Sequence, residues 1–361
     1  MCRILRRAIA ACIVVLFIAC EKERDANPQN PETLVAVFDQ FYQMMEERYV
    51  FWDLDTTNWS EKLAYRDQFV SLDINNTTDK ITASNLFREI TASLLDHHYS
   101  IRFQAAGITG ISINPARSRK VSQGLLQNAN SYPAMLALLQ APFYDVTFGD
   151  NIRFVTGKLN AQTLLLKTNQ FQFTRNQNHT ALEAALQWFL QEANHPEIKH
   201  VVLDLRGCVG GDVVDLGLIM GALVKDDFTF GYTKYKENRA PLRYSPLLPA
   251  QLHSNRTDKA SVPQIIVLTD TQTASLAEMI AYIVQSQALG VVIGQKTYGA
   301  FSPISDTDVF YSGDLVIGDF MTVRTASVQF LGINKESLEG IGLEPTVLTN
   351  DALHVLRDYI K

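Results

Sequence analysis

Two segments of the chain follow the same plan, and that repetition restricts the fold more than any other feature. In each, an unbroken apolar run of strand length ends in a turn and passes directly into a helical pattern. The first is "HVVLDL", His200 to Leu205, followed by the turn "RGCVGGD" and a helix running through Leu218 and Leu223. The second is "QIIVLT", residues 264–269, which leads through "DTQTAS" into a helix whose buried side carries Leu276, Met279, Ile280, Ile283 and Val284. Strand, small-residue turn and helix in that order is how α/β folds build sites at the carboxyl ends of their strands.

Other elements fit around these two. "TLLLK" at 163–167 reads as a strand, and "ALEAALQWFLQEA" as a helix with Leu182, Leu186, Phe189 and Leu190 on one face. "GVVIG" and "DFMTVRTASVQFL" read as further strands and "DALHVLRDYI" as a terminal helix, so an α/β core is expected over residues 161–361. From Pro31 to about Phe103 the pattern is helical: Leu34, Phe38, Phe41, Met45 and Tyr49 recur at spacings of three and four, and Leu86, Ile90 and Leu94 repeat it. This predicts an N-terminal helical domain over 31–103. Between 104 and 160, Gly, Pro and Asn interrupt short apolar runs, which reads as a mixed region of strands and loops. With 361 residues, 47% of them hydrophobic, the chain can bury such a core without disulfides.

The first residues stand outside that core. Arg3, Arg6 and Arg7 precede "AIAACIVVLFIA" (8–19), which has the length of a signal peptide's apolar region and is short for a membrane span. Residues 1–19 therefore read as a lipoprotein signal peptide. "FIAC" resembles the lipobox of bacterial lipoproteins, which makes Cys20 the acylated first residue of the mature chain, with 20–30 as a polar tether. The expected location is the bacterial cell envelope, lipid-anchored at the outer membrane and facing the periplasm or the surface. Removing the leader also removes Cys2 and Cys12, leaving Cys208 beside the lipidated cysteine and no intrachain disulfide. The formal charge is −6, and the leader takes away three arginines and no acid. An acidic surface without a basic cluster argues against a nucleic-acid partner.

Ser275 begins the helix after "QIIVLT", and Ser275-Leu-Ala-Glu278 has the spacing of a capping box, so helix capping alone would account for it. The same position suits a nucleophile. Free N–H groups and the helix dipole favour negative charge there, and the N–H of Leu276 can hold an oxyanion. A second donor is expected from the glycine turn, at Gly210 or Gly211. A serine nucleophile needs a base. Of seven histidines, His179, His195, His200, His253 and His354 lie in polar stretches or helix flanks, whereas Asp96, His97 and His98 sit where an apolar helix gives way to a strand. A metal site there would need a ligand from elsewhere, and no spaced His, Cys or Glu partner is visible. No metal and no cofactor are expected.

Taken together and in order, these pieces resemble the serine peptidase family of C-terminal processing (tail-specific) and tricorn-type proteases. "LLDHH" is similar to its Asp-Gly-His element with His97 for Gly, and "VVLDLRGCVGG" to its Asp-Leu-Arg-Gly-Asn-x-Gly-Gly element with Cys208 for Asn. "IVLTDTQTASLAE" resembles the nucleophile segment, "VIGQKTYGA" the strand and turn after it, and "LEGIGLEPTV" the closing Glu-x-x-Gly element. The resemblance implies a ClpP/crotonase-like α/β core behind the helical domain. The span between His98 and Asp204 is too short to add a PDZ domain, so none is predicted. It also implies the tricorn-like branch, because Ala300 stands where the other branch has its catalytic Lys. His98 then takes the Ser275 proton and Glu339 steadies the imidazolium, with Glu336 a rival for the latter and Lys296 a rival base. Activity is expected to rise through histidine's ordinary pKa of about 6.5, shifted by its neighbours. The implied function is a membrane-anchored serine endopeptidase acting on peptides or unfolded protein segments. The alternative is a catalytically inactive relative that binds peptides in the same cleft.

Overall fold

The computed structural model describes residues 30–126, 131–240, 242–256, 262–304 and 311–361; the expected leader and Cys20 lie outside them. The chain begins with helices α1 (Leu34–Arg48), α2 (Arg66–Val70) and α3 (Thr77–Thr91). Thr33 caps α1 by accepting from Ala36 N, and Asn76 caps α3 by accepting from Thr78 N and Asp79 N. Strands β1 (Ser100–Phe103) and β2 (Ser112–Ile113) and helices α4 (Pro115–Ser122) and α5 (Tyr132–Leu136) follow. Within 104–160, read above as a mixed region of strands and loops, α4 and α5 are helical, α4 being the longer. Its signal was local: Asn114 accepts from Arg117 N at 2.8 Å, and Pro115 occupies the first turn, where a missing N–H costs nothing.

The core is a seven-stranded sheet. In chain order its strands are β3 (Gln140–Phe148), β4 (Ile152–Asn160), β5 (Thr163–Thr168), β6 (His200–Asp204), β9 (Gln264–Thr269), β10 (Gly290–Gly294) and β14 (Val347–Leu348). The spatial order is β14-β10-β9-β6-β5-β4-β3, parallel from β14 to β5 and antiparallel beyond. Helices α6 (Thr180–Ala193), α7 (Val214–Leu223) and α8 (Leu276–Ser286) cover one face, and α9 (Ala352–Tyr359) with α5 covers the other. That is why the central strands are apolar throughout: Val201, Leu203, Ile265 and Val267 point to the first face, and Val202, Ile266 and Leu268 to the second. The matching register of β6 and β9 brings their two turns out side by side at one end of the sheet.

The helical layer has its own core, and the C-terminal part of the chain completes it. Strands β11 (Leu315–Ile317) and β12 (Met321–Arg324) pair in the order β11-β12-β1-β2, with Ile101 opposite Val323. Phe38, Phe41 and Phe87 pack against Ile101, Ile317 and Met321. Strand β13 (Gln329–Gly332) joins a separate sheet, in the order β13-β7-β8, with β7 (Phe228–Lys234) and β8 (Leu248–Leu252). The stretch read as one strand over 319–331 is therefore two, in different sheets. The break falls at Thr325–Val328, where Asp96 Oδ2 takes the N–H of Ala326 at 2.8 Å and removes it from any ladder.

Candidate active site

The turns after β6 and β9 are laced together. Thr273 Oγ1 donates to Leu205 O (2.9 Å), Gly207 N donates to Asp270 Oδ1 (3.0 Å), and Ala274 N donates to Cys208 O (2.9 Å). Ser275 stands at the end of this lacing with φ 57° and ψ −126°. A helix cap is normally extended, and a side-chain-bearing residue at this φ carries about 1–3 kcal/mol of strain that its surroundings must hold in place. Capping alone does not require that conformation. In conformation it resembles the sharp strand-to-helix turns on which some hydrolases present a serine, although the flanking Thr273 and Ala277 are not glycines.

The glycine turn closes on Ser275 from the neighbouring strand. A Cβ on Gly210 (φ +93°) would lie 2.5 Å from Ser275 Cβ and 2.8 Å from Leu276 N, so only glycine fits. The N–H of Gly210 is turned to the sulfur of Cys208, whose thiol burial pushes up to about 12. Of the three expected oxyanion donors, Gly211 and Leu276 make no backbone hydrogen bond through their N–H groups among the described residues.

Glu278 does more than cap. It is fully buried; Oε2 accepts from Ser275 N (3.1 Å) and Ala300 N (2.7 Å), and Oε1 accepts from Gly299 N and the Thr297 hydroxyl, both at 2.5 Å. Burial pushes its carboxyl up to about 7 against the pull of these four donors. The segment Thr297–Ser302 is thereby fastened to the Ser275 turn, with Tyr298 N also donating to Thr273 O at 2.9 Å.

The other edge of that segment holds the histidines. His97 Nδ1–H donates to Tyr298 O (3.0 Å), His97 N donates to Glu339 Oε1 (2.9 Å), and Ser302 N donates to Glu339 Oε2 (2.9 Å). Asp96 Oδ1 accepts from His98 N at 2.7 Å. One ligand-capable atom from each of Asp96, His98 and Glu339 lies within 4.8 Å of the other two, and His98 Nδ1 is buried with no hydrogen-bond partner among the described residues. Burial, with the charge of Arg324 nearby, pulls His98 down to about 4, below its ordinary range. Burial likewise lowers His97 to about 4 and raises Asp96 to about 7, and Glu339 is raised by burial and by Asp96. At neutral pH the His98 ring is uncharged, the form that accepts a proton.

Asp96, His98 and Glu339 are the atoms that could hold an ion. Each of the four carboxylate oxygens already takes a backbone N–H, and three converging ligands fall one short of a structural zinc site. Among the rivals, Glu336 accepts from Tyr282 OH (3.0 Å), and Lys296 is exposed opposite Glu344 at 3.7 Å. Ala300 is buried. Sequence reasoning missed Tyr298, Ser302 and Ala326, which act through backbone groups and leave no side-chain signal.

A mixed α/β fold with its turns gathered at the carboxyl ends of parallel strands is shared with known peptidases. Residues 163–349 match the model of Peptidase family S41, more than half of the sequence, and the chain belongs to that family. A candidate peptidase from Parabacteroides merdae is 16% identical with a TM-score of 0.66, covering 91% of this chain and 93% of that one. Mature CPAF is 9% identical with a TM-score of 0.56, covering 90% and 94%. A lipoprotein from Streptococcus agalactiae is 12% identical with a TM-score of 0.54, covering 91% and 96%. At these identities the likeness speaks for the fold. The family carries a peptidase-type function.

Proposed function

We propose that the chain is a serine endopeptidase that hydrolyses peptides or unfolded protein segments through Ser275. The carrying observation is the strained backbone of Ser275 at the head of α8, pressed against the glycine turn at Gly210. His98 accepts the serine proton and returns it to the leaving amine; Glu339, held by two backbone N–H groups, steadies the imidazolium. The tetrahedral oxyanion is taken by Leu276 and Gly211. The test is covalent labelling by a fluorophosphonate together with cleavage of an unfolded protein. Labelling of wild type and not of Ser275→Ala supports the reading, and equal labelling of both overturns it.

A second reading is peptide binding without chemistry. It is favoured by one observation: among the described residues no hydrogen bond joins Ser275 to His98. Serine–histidine contacts often tighten only when substrate binds, so the fluorophosphonate result separates the two readings.

The proposal extends to the membrane. Cys20 carries the lipid anchor, motivated by "FIAC" after a basic and apolar leader. Among the described residues no helix is long and apolar enough to cross a membrane. Metabolic labelling with a fatty-acid analogue should mark wild type and not Cys20→Ala.

A further inference from the structure

The turn that carries Gly211 has two neighbours, because β6 runs between β5 and β9 in the sheet. On the β9 side it meets Ser275. On the β5 side it meets residues 169–171, which pair with it beyond the end of β5. Val209 N donates to Asn169 O (3.0 Å), Phe171 N to Gly210 O (2.7 Å) and Asp212 N to Phe171 O (2.8 Å). A Cβ on Gly211 (φ +147°) would fall 1.8 Å from Phe171 O, so only glycine permits this approach. The pairing decides how one peptide plane faces. Carbonyl and N–H of a trans peptide point in opposite directions, and the Gly210 carbonyl is turned toward Phe171. The Gly211 N–H of the same peptide is therefore turned away from Phe171, toward the Ser275 side.

That plane depends on what fixes residues 171–174. Burial of the Phe171 and Phe173 rings holds the segment in place, but apolar burial is non-directional and does not choose which way a peptide faces. Asp215 makes the choice. It is fully buried in the first turn of α7; Oδ2 accepts from Phe173 N (2.7 Å), and Oδ1 accepts from Thr174 N (3.0 Å) and from the Thr174 hydroxyl. Neither oxygen accepts from α7 itself among the described residues, so the carboxylate is not a helix cap. Arg175 and Asp212 make the same join at 2.7 Å on the surface, where Arg175 is 62% exposed and such pairs contribute little.

We infer that Asp215 is a positioning residue for the oxyanion of the Ser275 reaction: it fixes residues 173 and 174, Phe171 holds the Gly210 carbonyl, and the Gly211 N–H is thereby aimed at the developing charge. The inference rests on the peptidase reading and adds to it a side chain whose hydrogen bonds reach neither Ser275 nor His98. Without Asp215 the plane is freer to turn, and a misaimed donor slows the reaction without loosening the bound reactant, because the charge develops only in the transition state.

The experiment uses the full-length protein and a rhodamine fluorophosphonate, whose phosphoryl oxygen stands in for the oxyanion as Ser275 Oγ bonds to phosphorus, fluoride leaves and the serine proton passes to His98. In Asp215→Ala the maximal labelling rate should fall at least about 10-fold, short of the about 100- to 1000-fold cost of removing a donor outright, with half-saturating probe unchanged within about twofold. Asp215→Asn keeps one acceptor oxygen and should recover part of that loss. Thr156→Val removes a buried hydroxyl bond to Leu165 O (2.7 Å) elsewhere in the sheet, and should lower the melting temperature while labelling at the wild-type rate. Hydrogen exchange read by mass spectrometry is the second measurement: residues 170–174 and 207–213 should lose protection in Asp215→Ala and keep it in Thr156→Val. A wild-type labelling rate in folded Asp215→Ala, an equal loss in Thr156→Val, or unchanged exchange over 207–213 overturns the inference. If Asp215→Ala does not fold, Asp215→Asn against Thr156→Val decides in the same way. Exchange needs no turnover, so a wild type that never labels sinks the peptidase reading, and the exchange result still decides whether Asp215 sets the glycine turn.

Discussion

The Ser275 half and the histidine half of the candidate site are built in opposite ways. Around Ser275 the parts are close in sequence or on the next strand; the bond from Gly207 to Asp270 spans 63 positions. Around His98 the decisive bonds span 242 positions, from His97 to Glu339, and 230, from Ala326 to Asp96. A strand, a small-residue turn and a helix suffice to present a serine. A histidine set beside two buried carboxylates, one of them from a distant segment, needs the finished topology. Thr297–Ser302 joins the halves, its backbone N–H groups and the Thr297 hydroxyl taken by Glu278 on one side and its Ser302 N–H and Tyr298 carbonyl by Glu339 and His97 on the other.

Substitutions at the two halves should break them differently. Ser275→Ala should cost the most, removing fluorophosphonate labelling and reducing cleavage by about 1000-fold or more. Its melting temperature should stay near wild type, and Ser275→Gly should melt no lower than Ser275→Ala, because glycine adopts this φ without strain. A Ser275→Gly protein clearly less stable than Ser275→Ala would mean the turn is not strained. His98→Ala should lower turnover by at least about 100-fold with substrate binding retained, whereas His97→Ala should be mild.

Glu278→Gln sharpens the comparison from the nucleophile side. An amide cannot accept from all four donors, so the variant should lose about 2 kcal/mol, read from denaturant midpoints at constant slope. The sign with pH follows from its raised pKa. Between an ordinary 4.5 and about 7 the folded state holds the Glu278 proton and the unfolded state does not, so this group's contribution to stability falls as pH rises through that window. The Gln variant should lack that slope. On the histidine side, a base lowered to about 4 stays neutral down to mildly acidic pH, so kcat/KM should hold to about pH 5 and fall toward 4. An acid limb near 6.5 would mean that His98 is not the titrating base. The smallest effect belongs to Lys296→Ala, which should leave most of the turnover because that side chain is exposed.

The same contrast explains what was legible in the sequence. The strand "QIIVLT" and the head of its helix were readable to the residue, because apolar runs and small-residue turns are local. Helix α4 was missed although Asn114-Pro115 marked its start, since its face toward the core is short. The break at Thr325–Val328 could not be read, because its cause is Asp96. The expected titration near 6.5 moved to about 4 for a reason no motif carries: burial of the ring. Glu278 read as an ordinary capping residue, and only its four donors show it to be a clamp.

The 242-position span between His97 and Glu339 also sets an order of events during synthesis. At about 5–20 residues per second, Asp96, His97 and His98 leave the ribosome roughly 10–50 s before Glu339 does. Ser275 and most of its strands emerge in between and can begin to pair. Throughout that interval the serine turn exists without the carboxylate that fixes the histidines, and the strand that reaches Ala326 is also missing for most of it. A nascent or truncated chain that stops short of Leu338 therefore lacks the carboxylate that takes the His97 and Ser302 N–H groups, and on the proposed roles it would be unable to cut its own unfolded remainder.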